Sequence, residues 1–217
     1  MTLSLFDELS PPYAAPERIA PGAVLLRGFA CHEAEALLQA VHQVIAAATL
    51  RHLMTPGGRV MSVGMSNCGS LGWVSDRTGY RYSSADPLSG QPWPPMPACF
   101  ADMAMRAAAE AGFEGFAPDA CLINRYEPGA RLSLHQDRDE CDLSAPIVSV
   151  SLGLPAVFLF GGLQRSDCPA RWLLAHGDVA VWGGASRLAF HGVVPLADGD
   201  HPRLGRQRIN LTFRRAG

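Results

Sequence analysis

One pair of side chains in this sequence has the residue types and the spacing of metal ligands. His135 and Asp137 lie two residues apart in the segment 131–137, where Leu132 and Leu134 alternate with polar residues, a pattern that predicts a β-strand. Side chains two apart on a strand point the same way, so the imidazole and the carboxylate project together. A histidine from another strand would complete the two-His-one-carboxylate set that suits iron(II) and leaves positions open for a co-substrate and oxygen.

A second triplet, His176-Gly177-Asp178, repeats the same spacing. It lies between two apolar segments, so we interpret Trp172 to Trp182 as a hairpin that turns at Gly177. Asp and Gly are expected in such turns for backbone reasons. We therefore assign this triplet a structural role.

The third ligand has to come from the remaining histidines, and His191 is the preferred candidate. It lies in the apolar segment 188–193, which reads as a strand in the same half of the chain. A lone histidine in such a strand is more often a buried, hydrogen-bonded core residue. The ligand pair on another strand nevertheless favours a role for His191 as a metal ligand. The other histidines lie in the helical N-terminal part or in a loop: His32, His42, His52 and His201.

The segment Arg208–Arg214 alternates apolar and polar residues and predicts another strand. Arg208, Asn210, Thr212 and Arg214 share one face. One interpretation is a solvated edge strand, whose charges prevent aggregation. The other is a carboxylate clamp, because guanidinium groups bind a planar carboxylate through paired, charge-assisted hydrogen bonds.

The elements that position these residues are short strands in the second half of the chain and two helices in the first. The helices are predicted at 32–48 and 97–112, and the strands at 23–29, 120–126, 131–137, 147–154, 156–160, 172–182, 188–193 and 207–214. This order predicts a mostly β (α+β) sandwich or jelly roll with the helices packed outside. Residues 59–97 are too polar and broken for core, and indicate a surface segment that could cover a site.

Length and composition predict one soluble domain. At 217 residues and 48% hydrophobic content, we expect an extended, proline-rich segment at 1–21 and a single domain at 22–217. No apolar run approaches the roughly 20 residues of a membrane span, and Met1–Ser10 does not resemble a signal peptide. The scattered cysteines indicate reduced thiols, so we expect a cytoplasmic protein. The net charge of −2 does not by itself point to nucleic acid.

Taken together, the metal pair, His191 and the arginine strand resemble the AlkB family of alkylation-repair dioxygenases. The resemblance runs from about residue 20 to Gly217. Its further motifs are Met61–Met65, Asn67–Gly69, Leu71–Trp73, Leu122–Tyr126, Leu132–His135, Pro146–Leu154 and His176–Val179.

The resemblance implies a double-stranded β-helix, a form of jelly roll, with a catalytic core at about 118–217 and a nucleotide-recognition lid at about 50–90. It implies iron(II) held by His135, Asp137 and His191. It also implies that 2-oxoglutarate is bound by Asn124, Tyr126, Arg208, Asn210 and Arg214.

By the same resemblance, one set of residues lies along the substrate: Trp73, Tyr80, Arg81, Tyr82, Asp139 and Arg165. Another set shapes the pocket: Met65, Leu122 and Ser149. Two positions depart from the family pattern. Arg59 replaces an aromatic residue in the lid, which could alter lid mobility or strand preference, and Cys141 replaces a proline after the metal strand.

The implied activity is oxidative demethylation of N-alkylated bases such as 1-methyladenine and 3-methylcytosine, with O2 as co-substrate and release of formaldehyde, succinate and CO2. The expected partner is alkylated DNA, preferably single-stranded, with RNA as an alternative, and the expected state is a monomer away from membranes. Two other hypotheses stay open. One is an oxygenase with the same cofactors that acts on a tRNA base or a protein, and the other is a non-catalytic, cupin-like binding module.

Overall fold

The structure, a computed structural model, describes residues 15–217. Its strands are β1 (Glu17–Ala20), β2 (Ala23–Leu26), β3 (Arg51–Met54), β4 (Val60–Gly69), β5 (Gly72–Asp76), β6 (Gly79–Ser83), β7 (Ala120–Tyr126), β8 (Leu132–His135), β9 (Ile147–Gly153), β10 (Ala156–Phe160), β11 (Ala170–Leu174), β12 (Val179–Trp182), β13 (His191–Val193) and β14 (Arg208–Arg214). The helices are α1 (Ala34–Ala47) and α2 (Ala98–Glu110), with short 3-10 turns at Cys31–Glu33 and Gly184–Ser186. Both predicted helices are confirmed.

Two sheets and one hairpin organise these strands. The major sheet has eight strands in the order β1-β2-β12-β9-β14-β7-β4-β3, and the minor sheet has four in the order β11-β10-β13-β8. All pairings between neighbouring strands are antiparallel. Strands β5 and β6 form a separate hairpin within the predicted lid.

Each face of the major sheet packs against a different layer. One face meets the minor sheet, where Phe158 of β10 packs against Trp182 of β12 with ring centroids 5.9 Å apart. The other face is covered by α1 and α2, where Phe100 of α2 meets Phe213 of β14 edge to face. The prediction of a mostly β fold with helices packed outside is confirmed.

Strand β14 lies at the centre of the major sheet, between β9 and β7. Its apolar residues Ile209, Leu211 and Phe213 join the core under the helices. The polar residues therefore face the space between the two sheets, and all seven residues of the strand are buried. The interpretation as a solvated edge strand is wrong, because neither face of β14 reaches solvent.

The prediction that residues 59–97 are too polar for core is wrong for β4. This strand pairs with β7 in the major sheet, and its residues from Val63 to Cys68 are buried. The polar groups are compatible with burial because they are bonded. Ser66 donates to the Ala48 carbonyl at 2.6 Å, and the Asn67 amide exchanges two hydrogen bonds with the backbone of Trp73.

The triplet 176–178 has the structural role that we predicted, although the predicted hairpin does not form. Gly177 has φ +84°, and a Cβ there would collide with Cys31. Buried Asp178 accepts hydrogen bonds from the backbone N–H groups of Gly28 and Ala175. The chain then crosses between sheets, because β11 pairs with β10 in the minor sheet whereas β12 pairs with β2 and β9 in the major one.

Two other predicted segments differ from the structure. The strand predicted at 188–193 covers only His191–Val193 and follows a 3-10 turn. The extended segment predicted at 1–21 lies largely outside the described residues, and its described end forms β1, which pairs with β2. Within residues 15–217, the helices are too short or too polar to cross a bilayer.

Candidate metal centre

The three predicted metal ligands converge between the two sheets. His135 of β8 and His191 of β13 are direct cross-strand partners, and their ring centroids lie 4.4 Å apart. Asp137 follows β8, with Oδ1 3.6 Å from His135 Nε2 and Oδ2 3.7 Å from His191 Nε2. One potential ligand atom from each residue lies within 4.8 Å of the others, the only such group found within residues 15–217.

Both imidazoles present the same nitrogen to this centre. Nδ1 of His135 lies 2.9 Å from the Ser133 carbonyl, and Nδ1 of His191 lies 3.0 Å from the Ala189 carbonyl. Because a carbonyl only accepts, each Nδ1 carries the proton and each Nε2 keeps a free lone pair. Backbone partners of this kind fix the ring orientation of metal-binding histidines.

The carboxylate of Asp137 is held in its ionised form. Burial acts to raise the pKa of Asp137, but the charge of Arg214, the two neighbouring imidazoles and the hydrogen bond from Arg214 together more than offset it, so the pKa lies below the usual range. Burial lowers the pKa of His191 to about 4, with a further contribution from His135. A neutral imidazole beside an ionised carboxylate is the protonation state that binds a metal cation.

Strand β14 also carries a buried cation with free donors. Arg208 is 1% exposed, its guanidinium carbon lies 4.9 Å from the centroid of the Tyr126 ring, and Nη2 donates to Ser151 Oγ at 2.9 Å. Nε and Nη1 have no hydrogen-bond acceptor within the described chain. Burial lowers the pKa of Arg208. Such a group fits a small anion that enters the site, because a buried unpaired charge is otherwise costly.

The neighbouring amides are only partly free. Asn210 donates to Ser149 Oγ at 2.8 Å and to the Val150 carbonyl at 2.9 Å, and it accepts from Thr212 Oγ1. Asn124 lies opposite Asn210 in the sheet, and its Oδ1 is buried without a partner in residues 15–217. Asn210 and Ser149 are thus bonded within the sheet, whereas Asn124 keeps one polar atom for a ligand.

The β5–β6 hairpin brings aromatic residues to the loop that follows β8. Trp73 stacks on Tyr80 with centroids 5.5 Å apart, and its Nε1 donates to Asp139 Oδ2 at 2.9 Å. The Tyr82 hydroxyl donates to Glu140 Oε1 at 2.8 Å. Beside the hairpin is a cleft of about 250 Å³ whose lining includes Leu53, Met65, Asn67, Trp73 and Val74.

The two predicted substrate arginines are exposed. Arg81 pairs with Asp76 at 2.8 Å inside the β5–β6 hairpin. The guanidinium carbon of Arg165 lies 5.2 Å from the ring centroid of Phe190, which is the residue before His191 in the sequence. The predicted pocket residue Leu122 is buried on β7 and packs in the core between the sheets.

Two buried residues near the triad were missed by the sequence analysis. Glu140 is 7% exposed and Arg187 is 3% exposed, and they pair at 3.0 Å. Arg187 also donates to the Asp137 carbonyl at 2.7 Å. Both residues lie in loops, where a charged residue normally indicates a solvated surface, so nothing in the sequence pattern distinguishes them.

A two-histidine, one-carboxylate site between the sheets of a jelly roll defines the class of non-haem iron(II) oxygenases. The 2OG-Fe(II) oxygenase superfamily matches this chain over residues 22–214. The chain is also 57% identical to the alpha-ketoglutarate-dependent dioxygenase AlkB of Salmonella typhimurium, over 99% of this chain and 98% of that protein. It is 56% identical to AlkB of Escherichia coli over the same shares. The chain therefore belongs to the AlkB family of alpha-ketoglutarate-dependent dioxygenases.

Two solved structures share the fold of this chain. The structure of OsALKBH1 superposes with a TM-score of 0.79 at 29% identity, covering 92% of this chain and 99% of that one. A 2OG-Fe(II) oxygenase family oxidoreductase from Burkholderia pseudomallei shares the fold, with a TM-score of 0.54 at 17% identity, covering 88% of this chain and 84% of that one. The predictions of the fold, of an Fe(II)/2-oxoglutarate dioxygenase and of its cofactors are confirmed.

Proposed function

We propose that this dioxygenase dealkylates N-alkylated bases such as 1-methyladenine and 3-methylcytosine, with single-stranded DNA as the preferred substrate. Relatives beyond the bacterial AlkB proteins support a nucleic-acid substrate. Mouse ALKBH1, named a nucleic acid dioxygenase, is 37% identical over 60% of this chain and 34% of that protein. Arabidopsis ALKBH1D, named a DNA N(6)-methyladenine demethylase, is 42% identical over 45% of this chain and 24% of that protein.

The observation that carries the enzymatic part is the unpaired guanidinium of Arg208. Arg208 and Arg214 lie on the same face of β14, and Arg214 contacts the metal ligand Asp137 at 2.6 Å. In this proposal a dicarboxylate held by the metal at one end reaches Arg208 with its other end along this buried polar face. The free N–H groups of this planar cation can donate charge-assisted hydrogen bonds to a carboxylate.

In this proposal His135, Asp137 and His191 hold the iron. Arg208 anchors the far carboxylate of 2-oxoglutarate, and Asn124, Tyr126, Asn210 and Arg214 line the co-substrate site. With O2, the bound cofactors supply the oxidation that hydroxylates the alkyl carbon and converts 2-oxoglutarate to succinate and CO2. The hydroxylated methyl group leaves as formaldehyde, and the protein contributes position and shielding.

The aromatic residues of the lid hairpin (β5–β6) favour a nucleic-acid base as the substrate. An alkylated ring nitrogen inside a duplex is out of reach, so the base has to leave the stack, which is easiest in a single strand. A cationic base on the indole of Trp73 would gain up to about 2 kcal/mol when desolvated. Asp139, bonded to the same indole, adds a negative charge beside that position. In the proposal Tyr80, Arg81, Tyr82 and Arg165 lie along the nucleotide, and Met65 and Ser149 border the pocket.

The test incubates the protein with a 1-methyladenine oligonucleotide, iron(II), ascorbate and 2-oxoglutarate, and follows base repair and succinate by mass spectrometry. Parallel reactions use the same lesion in single-stranded DNA, duplex DNA and RNA, with Asp137→Ala as the inactive control. We expect the fastest repair in single-stranded DNA. Succinate formation without repair of any of these substrates would contradict the base specificity, and faster repair of RNA would contradict the preference for DNA.

A further inference from the structure

The lid hairpin contacts the metal-site loop through two consecutive acidic residues. From β5, Trp73 donates to Asp139 at 2.9 Å, and from β6, the Tyr82 hydroxyl donates to Glu140 at 2.8 Å. These acids follow the iron ligand Asp137 by two and three residues. Each strand of the hairpin therefore has one hydrogen bond to the segment that carries the ligand.

Of these two acids, Glu140 is the buried one. Its side chain is 2% exposed, and each of its oxygens has a guanidinium partner. Oε1 accepts from the Tyr82 hydroxyl and lies 3.2 Å from Arg214 Nε in an ion pair, and Oε2 accepts from Arg187 Nη2 at 3.0 Å. Charge-assisted bonds of this kind offset the cost of burying a carboxylate and fix its geometry.

The same two guanidinium groups also hold Asp137. Arg214 donates to the Asp137 carboxylate from Nε at 3.0 Å and from Nη2 at 2.6 Å. Arg187 donates to the Asp137 backbone carbonyl at 2.7 Å. Glu140 thus pairs with both arginines that contact Asp137: Arg214 at the carboxylate and Arg187 at the backbone carbonyl.

From these contacts we infer that Glu140 is a positioning residue that couples the β5–β6 hairpin to the iron ligand Asp137. Arg214 Nε donates to Asp137 Oδ2 and lies 3.2 Å from Glu140 Oε1, so the two carboxylates compete for one cation. When the Tyr82 hydroxyl leaves Oε1, that oxygen competes more strongly for Arg214, and the Asp137 carboxylate loses part of its support. Buried networks transmit such changes because each bond polarises its neighbours.

This coupling has to act in both directions. A metal that orders Asp137 strengthens the hold on the hairpin, and a hairpin fixed in place strengthens metal binding by the same factor. The inference depends on the metal triad and not on the identity of the substrate, so it can be tested without nucleic acid. Its failure would leave the proposed base dealkylation untouched.

The decisive variant is Tyr82→Phe, which removes one hydroxyl and keeps the ring. Cobalt(II) is titrated into the metal-free full-length protein, and binding is read from the visible absorption of the bound ion, which also reports its ligand geometry. Because one hydrogen bond is lost, we expect cobalt affinity to fall about threefold to tenfold, with a changed spectrum. Tyr80→Phe is the matched control on the same strand, and we expect its affinity and spectrum to equal those of the wild type.

A second variant, Glu140→Gln, removes the charge while keeping an acceptor for Tyr82. A neutral amide competes less than a carboxylate for Arg214, so we expect a smaller loss of cobalt affinity than in Tyr82→Phe. Should this variant fail to fold, Tyr82→Phe alone decides. Wild-type affinity and spectrum in Tyr82→Phe, with or without a lower melting temperature, would overturn the inference, because the hydroxyl would then be only structural.

Discussion

Arg214 donates from both Nε and Nη2 to the same oxygen of Asp137, at 3.0 Å and 2.6 Å, in a site where both side chains are at least nine-tenths buried. The pair joins the central strand of the major sheet to the loop that follows β8. A cation beside a carboxylate that binds a metal would weaken the metal's hold on that oxygen. Arg214 must therefore serve to orient the carboxylate of Asp137, and to offset its negative charge before the metal binds.

Replacing this arginine with an apolar residue of similar length should destabilise the metal-free protein strongly. Arg214→Met leaves Asp137 and Glu140 buried without a shared cation, so we expect a loss of about 3–5 kcal/mol in the free energy of unfolding. Arg206→Met is the control, because Arg206 pairs with Asp198 in solvent and such pairs contribute at most about 1 kcal/mol. Urea unfolding in the presence of EDTA measures both. Equal losses would show that the buried pair contributes no special stability.

Much of this site follows from local patterns in the sequence. His135 and Asp137 share a period of two, and the polar residues of β14 alternate with apolar ones, so their common faces are visible without a structure. Glu140 and Arg187 were not predictable, because only tertiary contacts turn charged loop residues into a buried pair. Strand β4 was missed for a related reason. Ser66 and Asn67 look exposed until their backbone partners at Ala48 and Trp73 are known.

The two His-x-Asp triplets give opposite expectations. Asp137→Ala should abolish stoichiometric iron(II) binding. Asp178→Ala should leave binding intact in the folded protein but lower stability by at least about 2 kcal/mol, because it leaves the N–H groups of Gly28 and Ala175 without their acceptor. Anaerobic iron titration and urea unfolding separate the two effects. Loss of iron binding in folded Asp178→Ala would refute the structural role of the second triplet.

The unpaired guanidinium of Arg208 predicts an unusual combination of effects for Arg208→Met. Without 2-oxoglutarate, the variant should be at least as stable as the wild type, because it removes a buried charge that lacks an acidic partner. With 2-oxoglutarate, the wild type should gain thermal stability through binding, whereas the variant should gain almost none. Melting curves with and without the co-substrate and a non-reacting metal test both statements. A normal shift on adding 2-oxoglutarate would exclude Arg208 as the anchor.

The same variant should separate the co-substrate site from the substrate site. We expect the KM for 2-oxoglutarate to rise at least about tenfold, since a charge-assisted pair contributes roughly 1.5–3 kcal/mol. The KM for the methylated oligonucleotide should change far less, because the free donors of Arg208 are buried within the major sheet. Steady-state kinetics with each substrate varied in turn gives both values. A comparable rise in the two KM values would show that Arg208 does not act on the co-substrate alone.

Trp73 offers two separable interactions, a ring face for the base and an N–H group bonded to Asp139. Trp73→Phe keeps an aromatic face but loses the bond to Asp139, so we expect a KM for the methylated oligonucleotide only a few times higher. Trp73→Leu removes the face as well and should cost about 1–3 kcal/mol more, which corresponds to a rise of roughly fivefold to 150-fold. Asp139→Asn is the complementary control, because it keeps an acceptor for the indole and removes the charge proposed to favour cationic lesions. It should therefore slow repair of 1-methyladenine more than repair of a neutral alkylated base.

The measurement is the KM and kcat of each variant on single-stranded oligonucleotides that carry one cationic or one neutral lesion. If Trp73→Leu and Trp73→Phe behaved alike, the indole would serve to hold the loop and not to stack on the base.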